Sequence, residues 1–178
     1  MKVSTNRGIF PIIFITVVVL IAVVLLAWTD GCTRDRIAAQ EEAKLNRMLT
    51  EMFPDMSEYT IEGDIYTIYS DGAGIGYAFL AVGKGYGGDI DILVGLEDET
   101  TIKGVTIVTQ TETPGLGDRV AGSSFTDQFS GLNFGDVALR RDGGQIDAIT
   151  GSTISSSAVV EAVKMAGLEK VKSLKGSN

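Results

Sequence analysis

Gly83-Lys84-Gly85-Tyr86-Gly87-Gly88-Asp89-Ile90-Asp91-Ile92-Leu93-Val94 is the stretch on which the fold turns. Its first six residues satisfy the G-x-G-x-x-G spacing of a dinucleotide-binding turn, which needs a helix after it. The residues from Asp89 onward instead alternate acidic and apolar, the period of a strand with one wet face. The glycines therefore read as a hairpin loop whose open backbone lets a neighbour or a ligand approach closely. Asp89 and Asp91 are expected on the wet side of the strand that leaves it.

Outward from this hairpin the same pattern continues. Tyr59–Ile61, Ile65–Tyr69, Ile75–Val82, Ile90–Leu96 and Thr101–Thr109 read as strands. Turn-rich segments such as Ser70-Asp71-Gly72-Ala73-Gly74 and a solvated Glu97-Asp98-Glu99 separate them. Short connections favour an antiparallel meander. Further on, residues 118–129 suggest a short helix, and Val137–Leu139 and Gln145–Ala148 suggest short strands. Val159, Val160, Val163, Met165, Ala166, Leu168, Val171 and Leu174 mark the apolar stripe of a final helix. The fold class is α+β: an N-terminal transmembrane helix, then one domain with a mainly antiparallel sheet and flanking helices.

Residues 9–28 carry no charge and are mostly Ile, Val, Leu and Phe. As a helix they reach about 30 Å, the thickness of a bilayer core. Pro11 falls in the first turn, and Trp28 falls at the exit, where indoles favour the interface. A cleaved signal peptide has a shorter apolar region and a small-residue cleavage site, neither of which is met. A lipoprotein site at Cys32 lacks the aliphatic residue upstream. Residues 33–53 continue as a stalk helix ending at Pro54. The expected organisation is a short cytoplasmic tail at 1–8, a membrane anchor at 9–28 contacting lipid, a stalk at 29–54 and a domain at 55–175. Lys2 and Arg7 against a mixed-charge exit place the domain on the extracytoplasmic side of the cell's inner membrane.

Composition narrows the chemistry. The net charge of −8 disfavours nucleic acid. Histidine is absent and Cys32 is the single cysteine, which removes the usual ligand sets of zinc, haem and iron–sulfur centres. No metal site is expected, and a redox centre would be organic. No carboxylate pair is fixed by the pattern, so no catalytic acid or base is assigned.

Two segments carry chemistry. In Thr111-Glu112-Thr113-Pro114-Gly115-Leu116-Gly117, Pro-Gly favours a type II turn and leaves N–H groups open to a planar, carbonyl-rich heterocycle. The same stretch reads equally well as an ordinary turn. The second, Asp147-Ala148-Ile149-Thr150-Gly151-Ser152-Thr153-Ile154-Ser155-Ser156-Ser157, runs into the last helix. Its free N–H groups, helix dipole and hydroxyls suit a phosphate. One N-cap needs one hydroxyl, whereas six of the eight residues from Thr150 to Ser157 carry one.

Together these segments resemble the FMN-binding domain shared by the Rnf complex G subunit and the C subunit of the sodium-translocating NADH:quinone reductase. Glu112 to Gly117 and Asp147-x-x-Thr150-Gly151-x-Thr153 match its motifs, and Gly85 to Gly88 its strand entry. Ser152 departs, standing where the family usually has alanine. The resemblance implies FMN joined through its phosphate to Thr153 by a flavin transferase that reads Asp147, Thr150, Gly151 and Thr153. It implies cofactor contacts at Glu112, Thr113, Gly115, Leu116, Gly117, Thr150, Gly151 and Ser152. It further implies an electron-transfer subunit of a ferredoxin:NAD-type ion-translocating oxidoreductase, with other subunits of that complex as partners. The short chain favours the G subunit over the C subunit. An assembly module without flavin, or a phosphoester hydrolase using the hydroxyl-rich turn, are the readings outside that class.

Overall fold

The computed structural model describes residues 9–175. The expected tail at 1–8, with Lys2 and Arg7, lies outside the described residues, as do the last three residues. The chain divides into two compact units, Met1–Leu45 and Asn46–Asn178.

Helix α1 runs without interruption over Ile9–Met52. Thr29-Asp30-Gly31, at the junction of the expected anchor and stalk, does not break it. One glycine in a helix interior costs only about 1 kcal/mol, which a long helix on either side absorbs. Within the first unit, Phe10–Thr29 has a mean hydropathy of 3.2 and buries none of its surface. That is long and apolar enough to cross a bilayer.

The second unit is built on a five-stranded sheet in the order β1-β2-β3-β4-β5, every neighbour antiparallel. The strands are β1 (Glu58–Glu62), β2 (Ile65–Ser70), β3 (Ala73–Lys84), β4 (Asp89–Leu96) and β5 (Ile102–Gln110). The meander is the one the alternation predicts, with β3 longer at both ends. Gly85 to Gly88 form the β3–β4 hairpin loop, closed by the Gly85 N–H donating to Gly88 O at 2.9 Å. Asp89 is exposed, while Asp91 is half-buried and accepts a bond from the Thr109 hydroxyl of β5. The β4–β5 turn is tied by Asp98, whose carboxyl is held down to about 2 by the N–H groups of Thr100 and Thr101.

One sheet face carries the main core. Phe79 and Ala81 from β3, Ile90, Ile92, Val94 and Leu96 from β4, and Ile102 and Val105 from β5 meet Val159, Val160 and Val163 of α3 (Thr153–Lys175). Gly83 lets α3 come close, since a Cβ there would lie 2.6 Å from Ala158 O. Only part of the predicted helix stripe is buried: Met165 is 68% exposed and Leu168 41%. The face turned to the sheet is narrower than the apolar pattern, because one helix on one sheet face buries a single stripe. Leu174 carries no described side chain.

The opposite sheet face is covered by the end of α1. Gly76 and Gly95 form a trough that receives Met52 and Phe53: a Cβ on Gly76 would sit 2.6 Å from Phe53 Cε1, and one on Gly95 would strike Met52 Sδ. Leu49 and Phe53 are thus as buried as any core residue. This packing carries the compact unit back to Asn46, upstream of the boundary at 55 expected from the sequence. Phe53→Ala is expected to cost about 3–5 kcal/mol, read from urea unfolding of the detergent-solubilised chain. A midpoint equal to wild type would show that the trough contributes nothing.

Two expected elements differ. Residues 118–129 are not one helix. They form a 3₁₀ turn (Gly117–Ala121), a single helical turn α2 (Ser123–Thr126) and another 3₁₀ turn (Asp127–Phe129), because Gly122 is extended at φ −78°, ψ 144°. Val137–Leu139 and Gln145–Ala148 are not strands. They meet in a single parallel bridge, Leu139 with Ile146. The 3₁₀ turn Arg140–Asp142 and left-handed Gly143 at φ +86° fold the connection too tightly for a ladder.

Candidate functional site: a cavity at the start of the last helix

The two motif segments meet in a cavity of about 390 Å³, lined by Tyr86, Glu112, Thr113, Leu116, Gly117, Gly151, Ser152, Thr153, Ile154 and Ser155. The volume lies within the range of small-molecule sites. Three parts of the chain build it: the β3–β4 hairpin, the loop after β5 and the first turn of α3. Its rim is apolar, with Tyr86 75%, Ile154 57% and Leu116 47% exposed. Tyr86, Ile154 and Ser155 are not among the contacts expected from the sequence. The glycines around Tyr86 are the available signal for the first.

The loop after β5 is the predicted turn. Leu116 N–H donates to Thr113 O at 3.1 Å, and Gly115 has φ +78°, as the third position of a type II turn requires. Gly115 itself is exposed and does not line the cavity. Space around it is open, so a bulky residue there strains the backbone and does not crowd the site. Gly115→Val is expected to lower stability by about 1 kcal/mol or more and to displace Leu116 from the rim. Limited proteolysis of the loop would read this, and an unchanged cleavage rate would refute it.

Glu112 turns inward. It is 6% exposed, the only buried carboxylate among the described residues. Oε1 accepts the Gly87 N–H at 2.9 Å and Oε2 accepts the Ser155 hydroxyl at 2.6 Å. Three glycines make room for it: a Cβ on Gly85 would strike Oε1, one on Gly117 would strike Oε2, and one on Gly87 would lie 3.1 Å from the Glu112 Cα. The glycine-rich hairpin therefore closes on this side chain.

The hydroxyl-rich turn resolves into separate tasks. Ser152 is the N-cap of α3. Its carbonyl accepts the Ser156 N–H at 2.9 Å, and its hydroxyl donates to Ser155 Oγ at 3.2 Å. The Ser156 hydroxyl donates to Ser152 O and accepts the Ile149 N–H. Ser157 accepts from Arg141 Nη2 at 2.9 Å. Within the described residues, only the hydroxyls of Thr150 and Thr153 in this run make no hydrogen bond. Thr150 is exposed and outside the cavity lining, while Thr153 is half-buried and lines it.

Asp147 lies away from the cavity lining, on the surface. Arg140 Nε and Nη2 donate to its two oxygens at 2.7 and 3.2 Å, and those hydrogen bonds hold its carboxyl below the usual range. Gln128 fixes its backbone, accepting its N–H at 2.7 Å. Among the described residues there is no cluster of carboxylates able to hold a metal ion.

A profile of the FMN-binding domain family matches residues 85–167, the span that contains the whole cavity lining. The G subunit of the ion-translocating oxidoreductase complex of Vibrio vulnificus is 31% identical over 166 residues, covering 79% of this chain and 78% of that protein. The protein of the same name from Methanosarcina acetivorans is 33% identical over 170 residues, covering 86% and 90%. Among solved structures, the C subunit of the Na⁺-translocating NADH-quinone reductase of Parabacteroides distasonis aligns with a TM-score of 0.51 at 27% identity, covering 60% of this chain and 61% of that one. Shewanella oneidensis NqrC aligns with a TM-score of 0.53 at 19% identity, over 70% and 74%, a likeness of fold alone. By identity and coverage, with the cavity inside the matched domain, the chain belongs to the family of G subunits of ion-translocating oxidoreductase complexes.

Proposed function

We propose that this chain carries FMN esterified through its phosphate to Thr153 and passes electrons within a membrane-bound, Rnf-type ion-translocating oxidoreductase. The observation that carries the reading is the free Thr153 hydroxyl, at the first residue of α3 and on the cavity wall, while the neighbouring cavity hydroxyls of Ser152 and Ser155 are spent on the fold.

The electrostatics of the cavity favour a covalent bond. No Lys or Arg lines it, and its one carboxylate is Glu112. A free FMN would bring roughly two negative charges to that wall. A diester carries one, and the α3 N-terminus stabilises it by about 0.3–1 kcal/mol. The ester bond thus does the work a basic cradle does in sites that bind free phosphate. The apolar rim of Tyr86, Leu116 and Ile154 suits a planar ring, and Thr113 and Gly117 offer hydrogen-bonding groups. When bound, the flavin supplies the redox chemistry, and the protein supplies position and field.

A threonine hydroxyl with no histidine beside it is a weak nucleophile. Attachment is therefore the work of a separate flavin transferase, reading Asp147, Thr150, Gly151 and Thr153, with Arg140 and Gln128 presenting Asp147 at the surface. Residues 9–28 anchor the chain in lipid, the rest of α1 forms the stalk, whose last turn at Leu49 to Phe53 docks on the sheet, and the domain lies outside the cytoplasm. The complex, with its other subunits, acts as a translocase. The described part of the membrane helix, Phe10–Thr29, holds no ionisable residue, so the ion path belongs to those partners.

The mass of the chain purified from its native membrane should exceed the sequence mass by one FMN less water, and a denatured gel band should fluoresce. An unmodified mass and a dark band would leave the assembly-module reading. For topology, protease added to cells with a permeabilised outer envelope should release the domain. Digestion only in inside-out vesicles would reverse the orientation.

A further inference from the structure

We propose that Glu112 is the residue that orients the flavin, its carboxylate accepting a hydrogen bond from the imide N–H of the isoalloxazine ring. This rests on the FMN reading above and adds which edge of the ring enters the cavity. Glu112 is the only charged residue in the lining, and its position is fixed from two sides. Gly87 N–H holds Oε1 at 2.9 Å, and the Ser155 hydroxyl holds Oε2 at 2.6 Å. A carboxylate offers about four acceptor sites. These two bonds fill one on each oxygen, and the other two belong to a group that lines the cavity. A buried carboxylate is costly unless its hydrogen-bonding capacity is used, and the fold gives up side chains at Gly85, Gly87 and Gly117 to seat this one.

The chemistry of the ring then decides the orientation. The oxidised isoalloxazine presents carbonyl oxygens and pyridine-type nitrogens, all acceptors, and a single donor, the imide N–H. An acceptor placed against Glu112 meets uncompensated repulsion, whereas the N–H makes a charge-assisted hydrogen bond. The opposite, dimethylbenzene end of the ring is apolar and falls at the mouth, where Tyr86, Leu116 and Ile154 are exposed. Ser155 and Gly87 act as positioning groups: they hold the carboxylate so that no reorganisation is needed when the ring enters.

The test uses the flavinylated full chain carrying ¹⁵N-labelled FMN, in detergent. In the wild type the imide proton should exchange with water severalfold more slowly than that of free FMN and resonate downfield of it. In Glu112→Gln the resonance should move upfield while covalent flavin is retained. The wild-type exchange rate needs no variant and decides the assignment even where the Gln variant does not fold. An imide proton in the wild type that exchanges as fast as in free FMN overturns the assignment. So does protection unchanged in Glu112→Gln, which would leave Glu112 to the ribityl hydroxyls. A wild-type chain with no covalent flavin is a different failure: it removes the FMN reading itself and this inference with it.

Discussion

Thr153→Ala is expected to abolish covalent flavin completely, leaving a chain of unmodified mass and a dark band on a denaturing gel. The magnitude is all or none because the structure offers no substitute. Ser152 is 5% exposed, and its hydroxyl donates to Ser155 Oγ. Ser155 is 2% exposed and donates to Glu112. Thr150 has a free hydroxyl but lies outside the cavity lining. The paired control is Ser152→Ala, which should retain full flavinylation while losing about 1 kcal/mol with the buried hydrogen bond to Ser155. Peptide mapping decides the matter: residual FMN on residue 150, 152 or 155 in the Thr153→Ala chain would show that the acceptor is chosen by the transferase and not by the fold.

Glu112→Gln is expected to raise the flavin midpoint potential by roughly 40–170 mV. Reduction adds electron density to the ring, and a fixed carboxylate on the cavity wall opposes it. Removing that charge removes the opposition. A unit charge at 4 Å contributes about 1 kcal/mol in water-like surroundings and about 4 at an effective dielectric near 20. For a one-electron step that spans roughly 40–170 mV, with 59 mV to each factor of ten. Glutamine keeps the size and can still accept from Gly87 or Ser155, so the cavity is preserved and the change reads as charge. Spectroelectrochemical titration of both proteins at one pH measures it. A potential equal to wild type, with the flavin still attached, would place the ring beyond the reach of Glu112.

The sheet was legible in the sequence because alternation is local. Each of β1 to β5 announces itself by its own side-chain period, and short turns leave an antiparallel meander as the simplest connection. The G-x-G-x-x-G segment was resolved the same way, by the strand that comes after it. Less legible were the elements whose geometry depends on distant partners. Residues 118–129 break at Gly122, and Leu139 and Ile146 make one bridge instead of a ladder, since neither segment is long enough for its own pattern to outweigh packing.

By itself, the sequence determined the membrane-length apolar helix, the five-strand meander, the two motif segments and Thr153 as the acceptor to test. The first three are encoded in runs, periods and spacings, whereas Thr153 as acceptor follows from the resemblance to the FMN-binding domain family. Only the tertiary structure decided that the two motifs share one cavity, that Glu112 is buried in it between Gly87 and Ser155, and that Thr153 keeps its hydroxyl free while its neighbours are spent on the fold. It likewise decided that Met52 and Phe53 close the far face of the sheet through the trough at Gly76 and Gly95. The physical reason is the same in each case. Burial and hydrogen-bond partnership are properties of residues brought together from far along the chain, and a glycine shows what it makes room for only when the side chain that fills the space is in place.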